Sequence, residues 1–447
     1  MNKLPIEFHV KKRSELAEKL GSSSIAIIAA ANEKIRSNDT EYLFRQDSYF
    51  FYLTGFLEPE AVLIIKNGNS ILFCPNKDET TEIWTGRRLG AQNAIAAFKV
   101  EEAYPLSELE TRLPELLNQT QILWQLDGQQ PHCDNLINNA IAKLKTTSKQ
   151  GSKAPTIRRD LHETLDEMRL IKTAEEIEII SQAAEITAQG HIRAMQSCRP
   201  NMAEFQLEAE ILHEFAKHGA RFTSYNSIVG GGENGCILHY TQNGDQLKNG
   251  ELVLIDAGCE FAGYAGDITR TFPINGKFSA EQKALYQIVL NANLVAIEQI
   301  KIGSCFENAN NAAVQILVSG LVELGLLQGS VEKLIKEKAY QQFYMHGIGH
   351  WLGLDVHDVG STYYQDQRNK RPFEEGMLLT IEPGLYIASS AKVEAKWHGI
   401  GIRIEDNLLV TKNGHKILTA TAPKEIAKIE EIMQNSLSNQ QHTKGNL

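Results

Sequence analysis

The chain has 447 residues, enough for two or three domains with sizeable cores, and its 42% apolar and 22% charged residues are typical of a globular protein. Its net charge of −10 comes without a run of lysines or arginines, which argues against nucleic acid as the main partner. We see neither a secretory signal nor a membrane span, and six cysteines without a C-x-x-C pair indicate reduced thiols, so we expect a cytoplasmic protein with no membrane partner.

The first third of the chain mixes strand and helix signals. Two apolar runs flank Asn67-Gly68, a dipeptide that favours the tight turn of a β-hairpin. A further buried strand is predicted in QILWQLDG and a helix in SELETRLPELLNQ. We therefore predict a small α/β domain over residues 1–155. The polar segment Lys145–Asp160, which contains glycine and proline, indicates the boundary.

The rest of the chain reads as a duplicated α+β domain over residues 165–435. Capping-box patterns at Thr173/Glu176 and Ser279/Gln282 predict helix starts, and each is followed by a second helix and then by glycine-rich strands. In each half, one acid lies six residues after the first glycine of an apolar strand, and another lies nine residues before a later glycine. Coincidence in β-rich sequence is the alternative to duplication. The acids concerned are Asp256, Asp267, Glu382 and Glu405.

The first pair of acids belongs to a predicted hairpin, LIDAGCEFAGYAGDITRTF. If it turns near Phe261–Ala262, Asp256 and Asp267 lie opposite each other, with Cβ atoms about 5 Å apart. Carboxylates that close repel each other unless a proton or a cation lies between them. A salt bridge to Arg270, or a solvated hairpin end, is the alternative interpretation.

A glycine-rich segment, HGIGHWLGLDVHDVG, places His346, His350 and His357 within twelve residues. One of them could bind a metal while the others contact substrate, or all three could be surface polar residues. Four carboxylates and one imidazole are too many ligands for one ion but suit two. Oxygen-rich ligation with a histidine favours Mn²⁺, with Fe²⁺, Co²⁺ or Zn²⁺ open. Two such ions can hold a bridging hydroxide nucleophile and polarise a carbonyl, which is the chemistry of amide hydrolysis.

Several blocks of the sequence resemble those of the aminopeptidase P (Xaa-Pro aminopeptidase) family, in its bacterial branch. In the second part they are LIDAGCEFAGYAGDITRTFP, HGIGHWLGLDVHDVG, TIEPGLYI, GIRIEDNLLVT and SYNSIVGGGENGCILHY, and in the first part YLFRQDSYFFYLTGFLEPEAVL and EIWTGRRLG. The likeness covers nearly the whole chain. It implies a small N-terminal α/β domain, which serves oligomerisation and shapes the site, and a C-terminal duplicated pita-bread catalytic domain.

The resemblance also implies roles for individual residues. The metal ligands would be Asp256, Asp267, His350, Glu382 and Glu405, with Asp267 and Glu405 bridging two ions. The catalytic residues would be His239, His357 and Glu382, the last as general base and acid. The substrate-binding residues would be His346, Tyr386, Arg403 and Trp84, of which Trp84 is otherwise a packing residue or reaches a neighbouring subunit.

The implied reaction releases the N-terminal residue of peptides with proline in second position, and family members usually form homodimers or homotetramers. A proline amide has no N–H, so the pocket must select ring shape by packing against imidazoles and Tyr386. A prolidase cleaving only Xaa-Pro dipeptides is the main alternative, beside a metal-free creatinase-like enzyme. An inactive pita-bread module that binds peptides typically loses ligands, whereas all five are present here. We expect Asp355 and Asp358 to brace the loop rather than bind metal.

Overall fold

A computed structural model describes residues 4–364 and 368–444 of the chain, with side chains through Ser436. The protein separates into two compact units, and the division falls between Met168 and Arg169. The predicted boundary segment lies before this point. Its last residues, Ile157–Asp160, form a strand that pairs in parallel with Ile122–Gln125, so they belong to the sheet of the N-terminal unit.

The N-terminal unit is an α/β fold. Its helices are α1 Ile6–Leu20, α2 Ser48–Thr54, α3 Glu79–Thr85, α4 Ala91–Phe98, α5 Leu109–Leu117, α6 Pro131–Thr146 and α7 His162–Leu170, the last of which runs across the division. Its strands are β1 Ser24–Ala29, β2 Ile35–Ser37, β3 Thr40–Glu41, β4 Val62–Lys66, β5 Asn69–Cys74, β6 Glu102–Pro105, β7 Ile122–Gln125 and β8 Ile157–Asp160. Six of them form one mixed sheet in the order β6-β5-β4-β1-β7-β8.

The hairpin predicted around Asn67-Gly68 is confirmed, since β4 and β5 pair antiparallel from Val62↔Phe73 to Lys66↔Asn69. Both turn residues have positive φ, 53° at Asn67 and 82° at Gly68, as a type I′ turn requires. The sheet buries its apolar face against α5 and α6, whose leucines and isoleucines join the same core cluster.

The C-terminal unit holds the remaining elements. Its helices are α8 Ala174–Ser197, α9 Glu204–Lys217, α10 Ala280–Ile297, α11 Phe306–Glu323, α12 Val331–Lys336 and α13 Ile426–Lys444. Its strands are β9 Phe222–Thr223, β10 Ile228–Gly231, β11 Leu252–Ala257, β12 Cys259–Phe261, β13 Tyr264–Ala265, β14 Ile268–Pro273, β15 Leu378–Ile381, β16 Gly384–Ile387, β17 Ile400–Arg403, β18 Asp406–Thr411 and β19 Gly414–Ile417.

The predicted duplication is visible in the order of these elements. A helix pair, α8 and α9, precedes the sheet β10-β11-β14, and a second pair, α10 and α11, precedes the sheet β15-β18-β19. Both capping boxes are present: the Thr173 side chain caps α8 with Glu176, and Ser279 caps α10 with Gln282. One apolar core runs through both halves.

Two features bear on the protein's environment. All six cysteines are free thiols, and four of them are buried. Burial raises the pKa of Cys259, which lies in the first hairpin, to about 12, and this disfavours the reactive thiolate form. Within the described parts of the chain, we find no helix with the length and apolar character needed to cross a membrane.

Candidate active site

A cavity of about 540 Å³ opens in the C-terminal unit, where the two halves of the duplication meet. It brings together nine residues singled out in the sequence: His239, Asp256, Asp267, His346, His350, His357, Glu382, Arg403 and Glu405. Other residues that line it, and that sequence reasoning did not single out, are Tyr225, Asn226, Ile228, Leu238, Thr241 and Val356. The remaining two candidates, Tyr386 and Trp84, do not line it.

The first pair of acids comes from the hairpin β11–β14, but its register differs from the prediction. Asp256 pairs with Thr269, and Asp267 directly precedes β14. The predicted direct opposition of the two acids is therefore wrong. The turn lies one residue later than expected, at Ala262 and Gly263 with φ of 51° and 89°, and this displaces the pairing by two residues. Because side chains alternate along a strand, a two-residue displacement keeps both acids on one face.

Tyr225 holds these two acids together. Its hydroxyl lies 2.5 Å from Oδ1 of Asp256 and 2.5 Å from Oδ1 of Asp267. A phenol has one proton to donate, so it cannot satisfy two ionised carboxylates at once. The pair therefore needs a further positive charge or a proton. An uncharged tyrosine ahead of a strand carries no periodicity or charge signal, which is why sequence reasoning missed it.

The second pair of acids lies directly opposed. Ile381 pairs with Asp406 and Gly384 with Arg403, so Glu382 and Glu405 face each other between these two ladders. Glu405 is only 2% exposed, and its Oε2 atom accepts a hydrogen bond from Thr269 Oγ1 at 2.7 Å. Thr269 belongs to β14, so this bond joins the second half of the site to the first.

His350 lies beside acids of both hairpins. Its Nε2 atom is 3.3 Å from Asp267 Oδ2 and 3.6 Å from Glu382 Oε1. The other ring nitrogen, Nδ1, lies 2.8 Å from the carbonyl oxygen of Trp351, where it donates as an N–H and leaves Nε2 free to bind. Gly349 lets the loop approach, since a Cβ there would lie 2.0 Å from the carbonyl oxygen of Thr380.

The electrostatics of the cluster fit a cation. Burial, together with the neighbouring acids, raises the pKa of Glu382 to about 7 and holds the pKa of Glu405 well above its usual value. Burial also raises the pKa of Asp267. Burial opposes protonation of His350, but its hydrogen bond to Asp267 and the nearby acids raise its pKa to about 9. Asp267, His350 and Glu405 each offer a ligand atom within 4.8 Å of the others. Crowded, buried acids of this kind fit divalent ions.

A chain of hydrogen bonds lies behind the acids. Arg403 donates to Asp256 Oδ2 at 2.6 Å and to the Tyr386 hydroxyl at 2.9 Å. That hydroxyl lies 2.7 Å from His346 Nε2 and donates to it, because His346 Nδ1 donates to the Gly347 carbonyl. Burial and then Arg403 lower the pKa of His346 to about 4, so the ring is neutral. Tyr386 is 2% exposed and braces His346 instead of lining the cavity.

The remaining histidines lie at the cavity wall. His357 packs edge-on against His350, with ring centroids 4.4 Å apart, and burial lowers its pKa. The next residue, Asp358, accepts hydrogen bonds from Arg169 at 2.6 Å and from Lys172 at 2.8 Å, so it braces the loop as predicted. His239 also lines the cavity. Trp84 belongs to the N-terminal unit, where it is 85% exposed, and its role at the site stays a prediction.

Comparison with known proteins agrees with this geometry. The model of metallopeptidase family M24 matches residues 178–412, and that of the aminopeptidase P N-terminal domain matches residues 9–124. The chain is 49% identical to the Xaa-Pro aminopeptidase of Haemophilus influenzae, covering 97% of this chain and 98% of that protein, and 48% identical to that of Escherichia coli, covering 95% and 96%.

A solved structure of E. coli aminopeptidase P with the inhibitor Pro-Leu is 47% identical to this chain. It superposes with a TM-score of 0.95 over 98% of this chain and 100% of the other. The predicted fold class is thereby confirmed for both units.

Proposed function

The chain belongs to metallopeptidase family M24, and we infer that it is an Xaa-Pro aminopeptidase, which hydrolyses the bond between an N-terminal residue and a following proline. The observation that carries this conclusion is the convergence of four acids and four histidines in a single cavity of a chain that resembles such enzymes along nearly its whole length. The N-terminal domain match to aminopeptidase P favours this activity over a dipeptide-only prolidase.

We propose that Asp256, Asp267, His350, Glu382 and Glu405 hold two divalent ions, with Mn²⁺ the preferred metal and Asp267 and Glu405 shared between them. The donor set supports this proposal: four carboxylates in one cavity exceed the charge and ligand number that one ion needs. When bound, the ions supply a water of lowered pKa and polarise the scissile carbonyl.

Glu382 is suited to move the proton. Its carboxyl group lines the cavity beside the other acids proposed to hold the ions, within reach of a water bound there. We propose that it takes a proton from the attacking water and returns it to the leaving proline nitrogen. That nitrogen becomes a secondary amine, so it must gain one proton as the peptide bond breaks.

We propose that His239 and His357, which line the cavity, bind the substrate carbonyls. A neutral imidazole has one N–H donor, and a donor aimed at a developing oxyanion stabilises the transition state. His346 is neutral and held by Tyr386, so it offers an uncharged ring face to the proline. Shape and packing against this ring would then select proline, because the proline amide has no N–H to recognise.

Three further features complete the proposal: the oligomeric state and the role of Trp84 follow from the family resemblance, and the location follows from the scattered cysteines. We expect a homodimer or homotetramer, a cytoplasmic location, and a contribution of Trp84 to substrate binding, either in its own subunit or in a neighbour's. The high exposure of Trp84 in the N-terminal unit is compatible with the last of these.

The experiment is a pair of peptide assays with purified, Mn²⁺-supplemented enzyme. We expect release of alanine from Ala-Pro-Ala at a kcat/KM at least ~100-fold above that for Ala-Ala-Ala. Glu382→Gln should abolish turnover, whereas Glu323→Gln on an exposed face of α11 should not change it. Equal cleavage of both peptides, or full activity of the Glu382→Gln enzyme, would refute the proposal.

A further inference from the structure

A buried carboxylate outside the metal cluster organises the segment that carries His239. Glu204, the first residue of α9, is 0% exposed and accepts four hydrogen bonds. Its Oε1 atom accepts from Gly231 N at 2.8 Å and Asn234 Nδ2 at 3.0 Å. Its Oε2 atom accepts from the Tyr240 hydroxyl at 2.8 Å and Asp245 N at 2.9 Å. In the described ranges, no lysine or arginine forms an ion pair with it.

All four donors belong to residues 231–245. The Glu204 carboxylate therefore stabilises this segment, because hydrogen bonds to a charged acceptor are stronger than those to a neutral one. The four bonds in turn offset the cost of burying the charge. A second buried side chain fixes its far end: Asn243 accepts from Val229 N at 3.0 Å and donates to Ser227 O at 2.9 Å. The loop around His239 is therefore anchored at both ends.

The His239 side chain itself has no such anchor. It is exposed at the cavity wall, and among the residues that the structure describes none forms a hydrogen bond with its ring. Its neighbour Tyr240 is 7% exposed, and its ring packs in a small cluster with Ile228, Leu254 and Tyr386. The position of the imidazole thus depends on the backbone that Tyr240 fixes.

We propose that Glu204 and Tyr240 form a positioning pair that holds His239 over the cavity. The inference rests on the proposed role of His239 as a donor to substrate. Neither Glu204 nor Tyr240 lines the cavity, so neither is proposed to contact substrate or metal. Without the Tyr240 hydroxyl the loop would still pack, but His239 would reach the substrate carbonyl in a smaller fraction of encounters.

The test is a double-mutant cycle on kcat/KM for Ala-Pro-Ala. Tyr240→Phe keeps the packed ring and removes the donor to Glu204, together with the acceptor of a long hydrogen bond from Gly244 N at 3.4 Å. We expect it to lower kcat/KM about tenfold, as a small misplacement of a catalytic group does. Glu204→Gln replaces one acceptor oxygen by an NH2 donor, which faces other donors whichever way the amide turns, and should lower kcat/KM further. The metal content of both variants should equal that of the parent enzyme.

In a His239→Ala background, Tyr240→Phe should have less than a twofold effect, because the group it positions is gone. A purely structural role would give the same loss in both backgrounds, and that result would overturn the proposal. So would an unchanged kcat/KM for Tyr240→Phe in the parent enzyme. The matched control is Tyr264→Phe, since the Tyr264 hydroxyl also donates to a buried carboxylate, Glu176 at 3.0 Å, away from the His239 segment.

Assays of the parent enzyme and of His239→Ala distinguish a failure of the positioning pair from a failure of the proposed function. If the parent enzyme does not cleave Ala-Pro-Ala, the proposed function fails. If it cleaves the peptide and His239→Ala lowers kcat/KM while Tyr240→Phe does not, the function stands and the positioning pair is wrong. If His239→Ala has no effect, both the donor role and the positioning pair are wrong.

Discussion

The Nε2 atom of His350 lies 3.3 Å from the Oδ2 atom of Asp267, and this contact joins the glycine-rich loop to the first hairpin. The same nitrogen lies 3.6 Å from Glu382, an acid of the second hairpin. His350 is therefore the histidine of its loop that reaches acids from both halves of the duplication, and the three loop histidines should behave differently when replaced.

We expect His350→Ala to lose or weaken at least one metal site, because neither hairpin carries another imidazole that could take its place. Turnover of Ala-Pro-Ala should fall with the metal content. Elemental analysis after gel filtration measures the bound ions directly. His213→Ala, an exposed histidine of α9, is the control and should retain the metal content of the parent enzyme.

His357→Ala should keep its metal ions and lower kcat by about 10²–10³, the usual cost of removing a donor to a developing oxyanion. Its ring packs against His350 but lies on the cavity side of the loop that Asp358 braces. His346→Ala should also keep the ions and mainly raise KM, because that ring shapes the pocket. Loss of metal from His357→Ala, with retention in His350→Ala, would reverse these assignments.

Substrate length should separate this enzyme from a prolidase. We expect kcat/KM on Ala-Pro-Ala to exceed that on Ala-Pro, since the similarity to Xaa-Pro aminopeptidases extends through the N-terminal domain. The two peptides share the scissile bond and differ only beyond proline. Steady-state assays at equal enzyme concentration measure the ratio. A higher value on the dipeptide would favour the prolidase alternative.

Much of the cavity lining was predictable from the sequence because the acids proposed as ligands occur at repeated offsets. The offsets around Asp256 and Glu382 identified the strands, whereas the glycine-rich loop left three histidines open and only the family resemblance singled out His350. The register of the first hairpin was predicted wrongly, although Gly263 favours a turn at Ala262-Gly263 over one at Phe261–Ala262. One residue of difference in the turn changes the partner of Asp256 from Asp267 to Thr269.

Contacts between residues that are far apart in the sequence could not be predicted either. Tyr225 meets Asp267 across 42 positions, and Glu204 meets Tyr240 across 36. The sequence around Tyr225 or Glu204 contains no local pattern that identifies its partner. The predicted end of the N-terminal unit also lies too early in the chain. Polar composition around residues 157–160 predicts a linker, but these residues pair with the distant strand β7 and form a strand themselves.

The stability of the N-terminal unit should depend on pH through His9. This ring is 3% exposed, and burial lowers its pKa from 6.5 to about 4. Between these values the unfolded chain binds a proton that the folded chain does not, so stability falls as the pH falls through this window. Between pH 7.5 and pH 5 the loss should be about 2 kcal/mol.

Differential scanning calorimetry of the full chain at the two pH values measures this effect. His9→Gln, which can still donate to the Tyr52 carbonyl that His9 contacts at 3.0 Å, should lower the pH dependence. His132→Gln, an exposed histidine of α6 in the same unit, should leave it unchanged. An equal pH dependence in His9→Gln and the parent enzyme would show that His9 is not the titrating group.

The most direct test of the proposed metal centre is a titration of chelator-treated enzyme with Mn²⁺, with bound metal and cleavage of Ala-Pro-Ala measured in parallel. We expect activity to rise with occupancy and to level off at about two ions per chain. Glu405→Gln should lower turnover by at least ~10³-fold, because it removes a shared ligand. Full activity of metal-free protein in excess chelator, or an undiminished Glu405→Gln enzyme, would contradict the account.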